Sequence, residues 1–202
     1  MGCALSSELI DRVIGFHGHS CPGLAIGIRA AEFALGEFSG PDVELVAVTE
    51  TDMCGVDAIQ YLTGCTYGKG NFIHRDYGKM AFSFYDRKTG RAFRLVLKPE
   101  SRKDIDNELT KLMAAVVNGT ATEEEKQRCT VLREKMQHNF MELPIETLFD
   151  ISTPDAQAPR PPRVLQSLKC EQCGEMTMES RTRRFAGQVF CIPCFSEIEQ
   201  KV

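Results

Sequence analysis

Tryptophan, long apolar runs and an excess of basic residues are all missing from this sequence of 202 residues. No segment approaches the ~18 consecutive apolar residues that can span a bilayer, so we expect no membrane anchor. The formal net charge of −4 gives no reason to expect binding to nucleic acid. The first residues lack the basic stretch and apolar run of a signal peptide, so we expect a cytoplasmic protein.

Cysteine, in contrast, is abundant, with nine thiols in the chain. An odd number argues against a complete disulfide framework, and without a secretion signal we expect a reducing compartment. In such a compartment cysteines fill hydrophobic cores, bind metals or take part in catalysis. The positions of these cysteines therefore indicate what the chain can do.

Four of these cysteines form two C-x-x-C pairs near the end of the sequence, Cys170 with Cys173 and Cys191 with Cys194. Two pairs at this spacing are typical of a tetrahedral four-cysteine zinc site. The alternative, two redox-active dithiols, is less favoured because so short a segment has too few apolar residues to fold without metal. The sequence therefore predicts a small zinc ribbon that holds a structural zinc ion.

A proline-rich segment precedes this ribbon. Residues 152–164 contain four prolines and little to bury, which is typical of a semi-extended linker. We therefore predict a main domain over residues 1–151, a linker over 152–164 and the ribbon over 165–202. Within the ribbon, the segments 176–180 and 187–191 are expected to pair as the two strands of one hairpin.

Helical and strand patterns are mixed without regular alternation before the linker, which predicts an α+β main domain. Pro22 suits the first turn of a helix, and the apolar residues that follow are typical of a buried helix, in which Gly23 and Gly27 leave a flat strip for another backbone. Thr122, with Glu125 three residues later, is a capping-box signal. We predict helices over residues 5–16, 22–38, 56–62, 103–118 and 122–141, a buried strand over 43–50 and a hairpin over 79–98.

His17, His19 and Cys21 occupy alternate positions just before Pro22. In an extended segment alternate side chains point the same way, so the three can converge on one point. Cys21 or Ser20 would cap the buried helix, where the positive end of the helix dipole favours a thiolate. The alternatives are hydrogen-bonded surface histidines and a cysteine that fills the core.

A second junction of this kind follows the predicted strand, with Asp52, Cys54 and Gly55 where the strand passes into the next helix. Cys54 would therefore also lie near a helix N-terminus. Soft ligands at two such junctions, His19 and Cys21 at one and Cys54 at the other, favour a metal site over core filling.

A glycine-rich loop comes directly after that helix and carries Cys65, Gly68, Lys69 and Gly70. The glycines would let backbone N–H groups approach a ligand, and the lysine would neutralise an anion, so we expect these residues to bind a substrate. Glycines at this spacing are also common in ordinary turns, and Cys65 can equally fill the core, so both interpretations stay open.

The main domain resembles the formylmethanofuran dehydrogenase E-subunit family in three stretches: FHGHSCPGLAIGIRAAE, VTETDMCGVDAIQYLTGCTYGKGN and DYGKMAFSFYDRKTGRAFRL. Many members of that family append a similar ribbon. The resemblance implies an α+β domain that tends to form homodimers, and the linker would let the ribbon cross to the other protomer. The family name comes from gene association with the molybdenum or tungsten enzyme that reduces carbon dioxide onto methanofuran, so a redox complex is an expected partner.

The resemblance also implies that the histidine–cysteine loop and the Cys54 junction meet in one cleft. We expect a transition metal there, zinc first and nickel, cobalt or iron as alternatives, held by Cys21, Cys54 and one of His17 or His19. An open fourth position would make the site catalytic, with Asp52 as general base in hydrolysis or one-carbon chemistry. Two alternatives stay open: an accessory or metal-carrier component of a redox complex, and a thiol redox protein that uses Cys21 and Cys54.

Overall fold

The structure, a computed structural model, describes residues 2–102 and 106–199. It divides into two units, Met1–Pro161 and Pro162–Val202. The predicted limits of the linker stay a prediction. The first residues of the helix predicted over 103–118 lie outside the described part of the chain.

Helices and strands are mixed along the first unit, which confirms the α+β prediction. Its helices are α1 (Ser7–His17), α2 (Pro22–Glu37), α3 (Gly55–Thr63), α4 (Asp106–Val117), α5 (Glu123–Glu142) and α6 (Ile145–Leu148). Its strands are β1 (Leu45–Thr49), β2 (Phe72–His74), β3 (Ala81–Asp86), β4 (Ala92–Leu97) and β5 (Phe149–Ser152). Of the helices that the structure describes, none has the length and apolar character needed to cross a membrane.

The five strands form one sheet in the order β2-β1-β3-β4-β5. The predicted buried strand, β1, lies inside this sheet, parallel to β2 and antiparallel to β3. The predicted hairpin is β3 and β4, and Gly90 closes its turn with a φ of 73° that favours glycine. The main core includes Ala47, Phe82 and Leu95 of the sheet together with Ala30 of α2, so α2 covers one face. Helix α3 follows β1 in the chain and packs against α2.

Helices α2 and α3 make an unusually close contact through glycine. A Cβ atom added to Gly27 would lie 2.1 Å from the carbonyl oxygen of Gly55, so no larger residue fits without separating the helices. The prediction that glycines in α2 admit another backbone is confirmed. Because α3 begins one residue after Cys54, this contact sets how close Cys54 comes to the start of α2.

The predicted capping box starts helix α5. The Thr122 side chain accepts a hydrogen bond from the Glu125 N–H, and the Glu125 carboxylate accepts one from the Thr122 N–H. Leu132, Met136 and Phe140 of this helix are buried, as their helical spacing predicts. Helix α5 therefore packs its apolar face on the core of the first unit.

The second unit contains two small hairpins and one helix. Strand β6 (Ser167–Lys169) pairs with β7 (Met176–Met178), strand β8 (Thr182–Phe185) pairs with β9 (Gln188–Cys191), and α7 spans Ile192–Glu199.

The predicted pairing of segments 176–180 and 187–191 is therefore wrong. The physical reason is the turn between β8 and β9, where Ala186 and Gly187 both have positive φ, 49° and 83°. Two such residues form the tight turn that matches the twist of a two-residue hairpin loop. This turn pairs β9 with β8, the strand directly before it, and β7 pairs with β6 instead.

Candidate metal centre

The histidine–cysteine stretch is built by two helix ends. Helix α1 continues through His17 and ends at Gly18, whose φ of 92° turns the chain, and Cys21 then caps α2. The expected extended segment is therefore wrong for His17. The two helix ends, and not the alternation of a strand, bring these side chains together.

Four side chains meet where these helix ends face the start of α3. The ligand atoms of His17, His19, Cys21 and Cys54 all lie within 4.8 Å of one another. Glycine again makes this proximity possible, because a Cβ added to Gly23 would lie only 3.3 Å from the Cβ of Cys54. The four residues offer two imidazoles and two thiols, a ligand set that suits zinc and other borderline transition metals.

His17 is oriented by a carboxylate. Its Nδ1 lies 2.7 Å from Oδ2 of Asp57, while its Nε2 is buried and has no hydrogen-bond partner among the described residues. A histidine held in this way donates from Nδ1, which leaves the Nε2 lone pair for a metal. The site thus contains a buried ligand atom that only a metal or another bound group can satisfy.

Sequence reasoning named Asp52 for the supporting role and missed Asp57. The structure leaves Asp52 exposed and outside the cluster of four, and its predicted role as general base stays a prediction. The signal was available, because Asp57 lies three residues after Cys54 on α3 and so shares its helix face.

The two thiols differ in their surroundings. The Leu24 N–H donates to Sγ of Cys21 at 3.3 Å, so Cys21 caps α2 as predicted. Burial, and then the neighbouring Cys21 thiol, raise the pKa of Cys54. Two thiolates side by side repel each other, so a bound cation would favour the form in which both are deprotonated.

The predicted substrate loop lies apart from this cluster. The Cys65 thiol is fully buried in the core and donates to the Leu45 carbonyl at 3.4 Å, and the Lys69 ammonium donates to the Gly64 carbonyl at the end of α3. A cavity lies beside Cys21. Its described lining residues do not include Cys65, Gly68, Lys69 or Gly70. Their predicted role in substrate binding stays a prediction.

The second unit brings its own four cysteines together, with the sulfur atoms of Cys170, Cys173, Cys191 and Cys194 within 4.8 Å of one another. The N–H groups of Cys191 and then Cys173 lower the pKa of Cys170 to about 6, with the Cys191 N–H 3.3 Å from Sγ of Cys170. Backbone N–H groups directed at a sulfur stabilise the thiolate that zinc requires. This arrangement fits a structural zinc ion.

Two family models match the chain. Residues 16–150 match "FmdE, Molybdenum formylmethanofuran dehydrogenase operon". Residues 165–200 match "Prokaryotic dksA/traR C4-type zinc finger", which supports structural zinc in the second unit.

Two similar proteins are also found. The chain is 28% identical over 200 residues to a "Probable S-adenosyl-L-methionine-binding protein" of Archaeoglobus fulgidus, an alignment that covers 92% of this chain and 54% of that protein. The chain thus spans about half the length of this curated relative. A crystal structure of a tungsten formylmethanofuran dehydrogenase FmdE-like protein from Syntrophus aciditrophicus has a TM-score of 0.62, with 20% identity and 99% coverage of each chain, which shows a shared fold.

Proposed function

Because the chain belongs to the FmdE family, we propose that its first unit binds a transition metal through His17, Cys21 and Cys54 and acts on a small molecule beside that metal. The buried Nε2 of His17, without a partner in the described part of the chain, carries this proposal. Zinc is the first candidate because mixed imidazole and thiolate ligands suit it, with nickel, cobalt and iron as alternatives.

His19 is proposed as the exchangeable fourth ligand. Its side chain is exposed and makes no hydrogen bond to any residue that the structure describes, whereas His17 is partly buried and held by Asp57. A loosely held ligand leaves a coordination position that a substrate can take. A metal bound there would supply Lewis-acid chemistry, which activates water or polarises a carbonyl group. Hydrolysis and one-carbon chemistry are the reaction classes that this favours.

A cavity next to the two thiols supports the small-molecule part of the proposal. It has a volume of about 290 Å³, and Cys21 and Cys54 contribute to its wall. The similar protein from Archaeoglobus fulgidus is named as a probable S-adenosyl-L-methionine-binding protein, and a small-molecule ligand is proposed for this chain as well. Dimer formation, and docking on a redox complex as an accessory or metal-carrier component, stay predictions.

Thiol redox chemistry is the second candidate, and one observation favours it: the sulfur atoms of Cys21 and Cys54 are within 4.8 Å of each other. Two thiols this close can form a disulfide after a small movement. The two candidates differ in what the isolated protein contains. The metal proposal requires a second metal equivalent besides that of the second unit, and the redox proposal requires a reversible disulfide.

Elemental analysis of the full chain tests the metal proposal. We expect two metal equivalents in the wild type and one in Cys21→Ser, because one ligand of the first-unit centre is lost. The matched control is Cys3→Ser, which removes a half-buried thiol outside both clusters and should keep both equivalents. A Cys21→Ser protein that keeps both metals would overturn the proposal. One metal in the wild type, with a Cys21–Cys54 disulfide that forms under oxidation, would favour the redox candidate.

A further inference from the structure

The cavity beside the metal centre has a distinctive apolar wall. Four methionines, Met53, Met80, Met113 and Met136, line it together with aliphatic and aromatic side chains. Methionine is flexible and polarizable, so a surface rich in it adapts to ligands of irregular shape. Four of the eight methionines in the chain line this cavity, and Met53 is 53% exposed, so a ligand can reach it.

The same cavity has a positive wall. Arg102 and Arg133 line it, and no aspartate or glutamate occurs among the described residues that do so. The Nε of Arg102 is buried without a hydrogen-bond partner in the described part of the chain. A buried guanidinium N–H without an acceptor is costly, and a carboxylate or phosphate satisfies it best.

We propose that this cavity binds a small organic anion. Its apolar part would pack on the four methionines, and its carboxylate or phosphate group would pair with Arg102 and Arg133. The inference deepens the proposed function and rests on it for the metal, because Cys21 and Cys54 belong both to the centre and to the cavity wall. An anion bound here therefore lies next to the metal ligands.

Methionine methyl NMR of the full chain tests the proposal directly. The probes are hexanoate, hexyl phosphate and hexan-1-ol, which share one alkyl chain and differ in the polar group. We expect hexanoate or hexyl phosphate to shift the methyl signals of the four cavity methionines in a saturable way. Met176 and Met178 of the second unit serve as internal controls and should not shift. Whichever of the two anions binds more tightly identifies the anionic group.

Charge variants test the arginines. Arg102→Gln should weaken the binding of the preferred anion by about tenfold or more, as expected for a lost charged hydrogen bond. Lys135→Gln removes the same charge from an exposed position of α5 that does not line the cavity, and should leave binding unchanged. Hexan-1-ol that binds as tightly as the anions, anions that shift no cavity methionine, or an Arg102→Gln protein with unaltered affinity would each overturn the inference.

The metal content of the same samples separates this inference from the proposed function. Two metal equivalents without anion binding would refute the anion site and leave the metal centre standing. Anion binding that depends on Arg102, in a protein with metal only in its second unit, would support the anion site and refute the metal centre.

Discussion

Replacing Gly27 by alanine tests whether the contact between α2 and α3 builds the metal centre. The new Cβ would lie 2.1 Å from the Gly55 carbonyl oxygen and 2.4 Å from its Cα. An ordinary C···O contact is about 3.3–3.6 Å, so the helices must move apart by about 1 Å. Overpacking of this kind costs about 3 kcal/mol, and the better helix propensity of alanine returns only about 1 kcal/mol. We expect the variant to lose about 2 kcal/mol of unfolding free energy.

Urea unfolding of the metal-free protein measures this loss, and Gly36→Ala is the matched control. Gly36 lies in the same helix, but a Cβ there would meet nothing within 4 Å, so alanine should stabilise the protein by up to about 1 kcal/mol. Separating α2 from α3 also moves Cys21 away from Cys54, so competition with a chelator should show weaker metal binding in Gly27→Ala alone. A Gly27→Ala protein as stable as Gly36→Ala, with unchanged metal affinity, would refute the reasoning.

Three further predictions follow from single contacts. Asp57→Asn should weaken metal binding in the first unit by about 10–100-fold, because His17 loses the group that orients it; chelator competition measures this, and unchanged affinity would contradict it. Cys170→Ser should abolish dispersed amide signals of the second unit in NMR spectra and spare the first, since zinc supplies its folding energy; signals that stay dispersed would argue otherwise. Arg94 lowers the pKa of Glu50 through their paired hydrogen bonds, so this contact stabilises the fold above the ordinary glutamate pKa and is lost as pH falls through the lowered value. Glu50→Gln should therefore lower the free energy of unfolding by about 1–3 kcal/mol at pH 7 and by much less under acidic conditions. Urea unfolding at both pH values measures this difference, and an equal loss at both would count against the Glu50–Arg94 pair.

Much of the first unit could be predicted because its signals are local. The capping box at Thr122 and the glycine turn of the β3–β4 hairpin involve residues close in sequence, and both are found as predicted. The other edges of the sheet are different. Strand β2 pairs with β1, and β5 pairs with β4 although three helices separate these two strands in the sequence. Short strands of this kind form because of contacts with distant residues, and a local sequence pattern does not predict such contacts.

The candidate site also combines signals that are local in sequence with contacts between residues far apart in sequence. Motif spacing identified the histidines and cysteines, but the geometry that joins them depends on helix α1 reaching His17 and on the glycine contact with α3. Asp57 was overlooked because an acidic residue in the first turn of a helix is ordinary on its own. Its spacing from Cys54 indicated a shared helix face, and its contact with His17 at the end of α1 shows what the carboxylate does there.

X-ray absorption at the zinc edge, on metal-free full chain reconstituted with two equivalents of zinc, tests the central claim most directly. We predict about four sulfur ligands for the zinc of the second unit, and about two sulfur ligands with imidazole for the zinc of the first. Averaged over the two zinc ions, the shell is then about three sulfurs near 2.3 Å and one nitrogen or oxygen near 2.0–2.1 Å. Retention of a single zinc with a shell of four sulfurs would contradict a metal centre built from His17, Cys21 and Cys54.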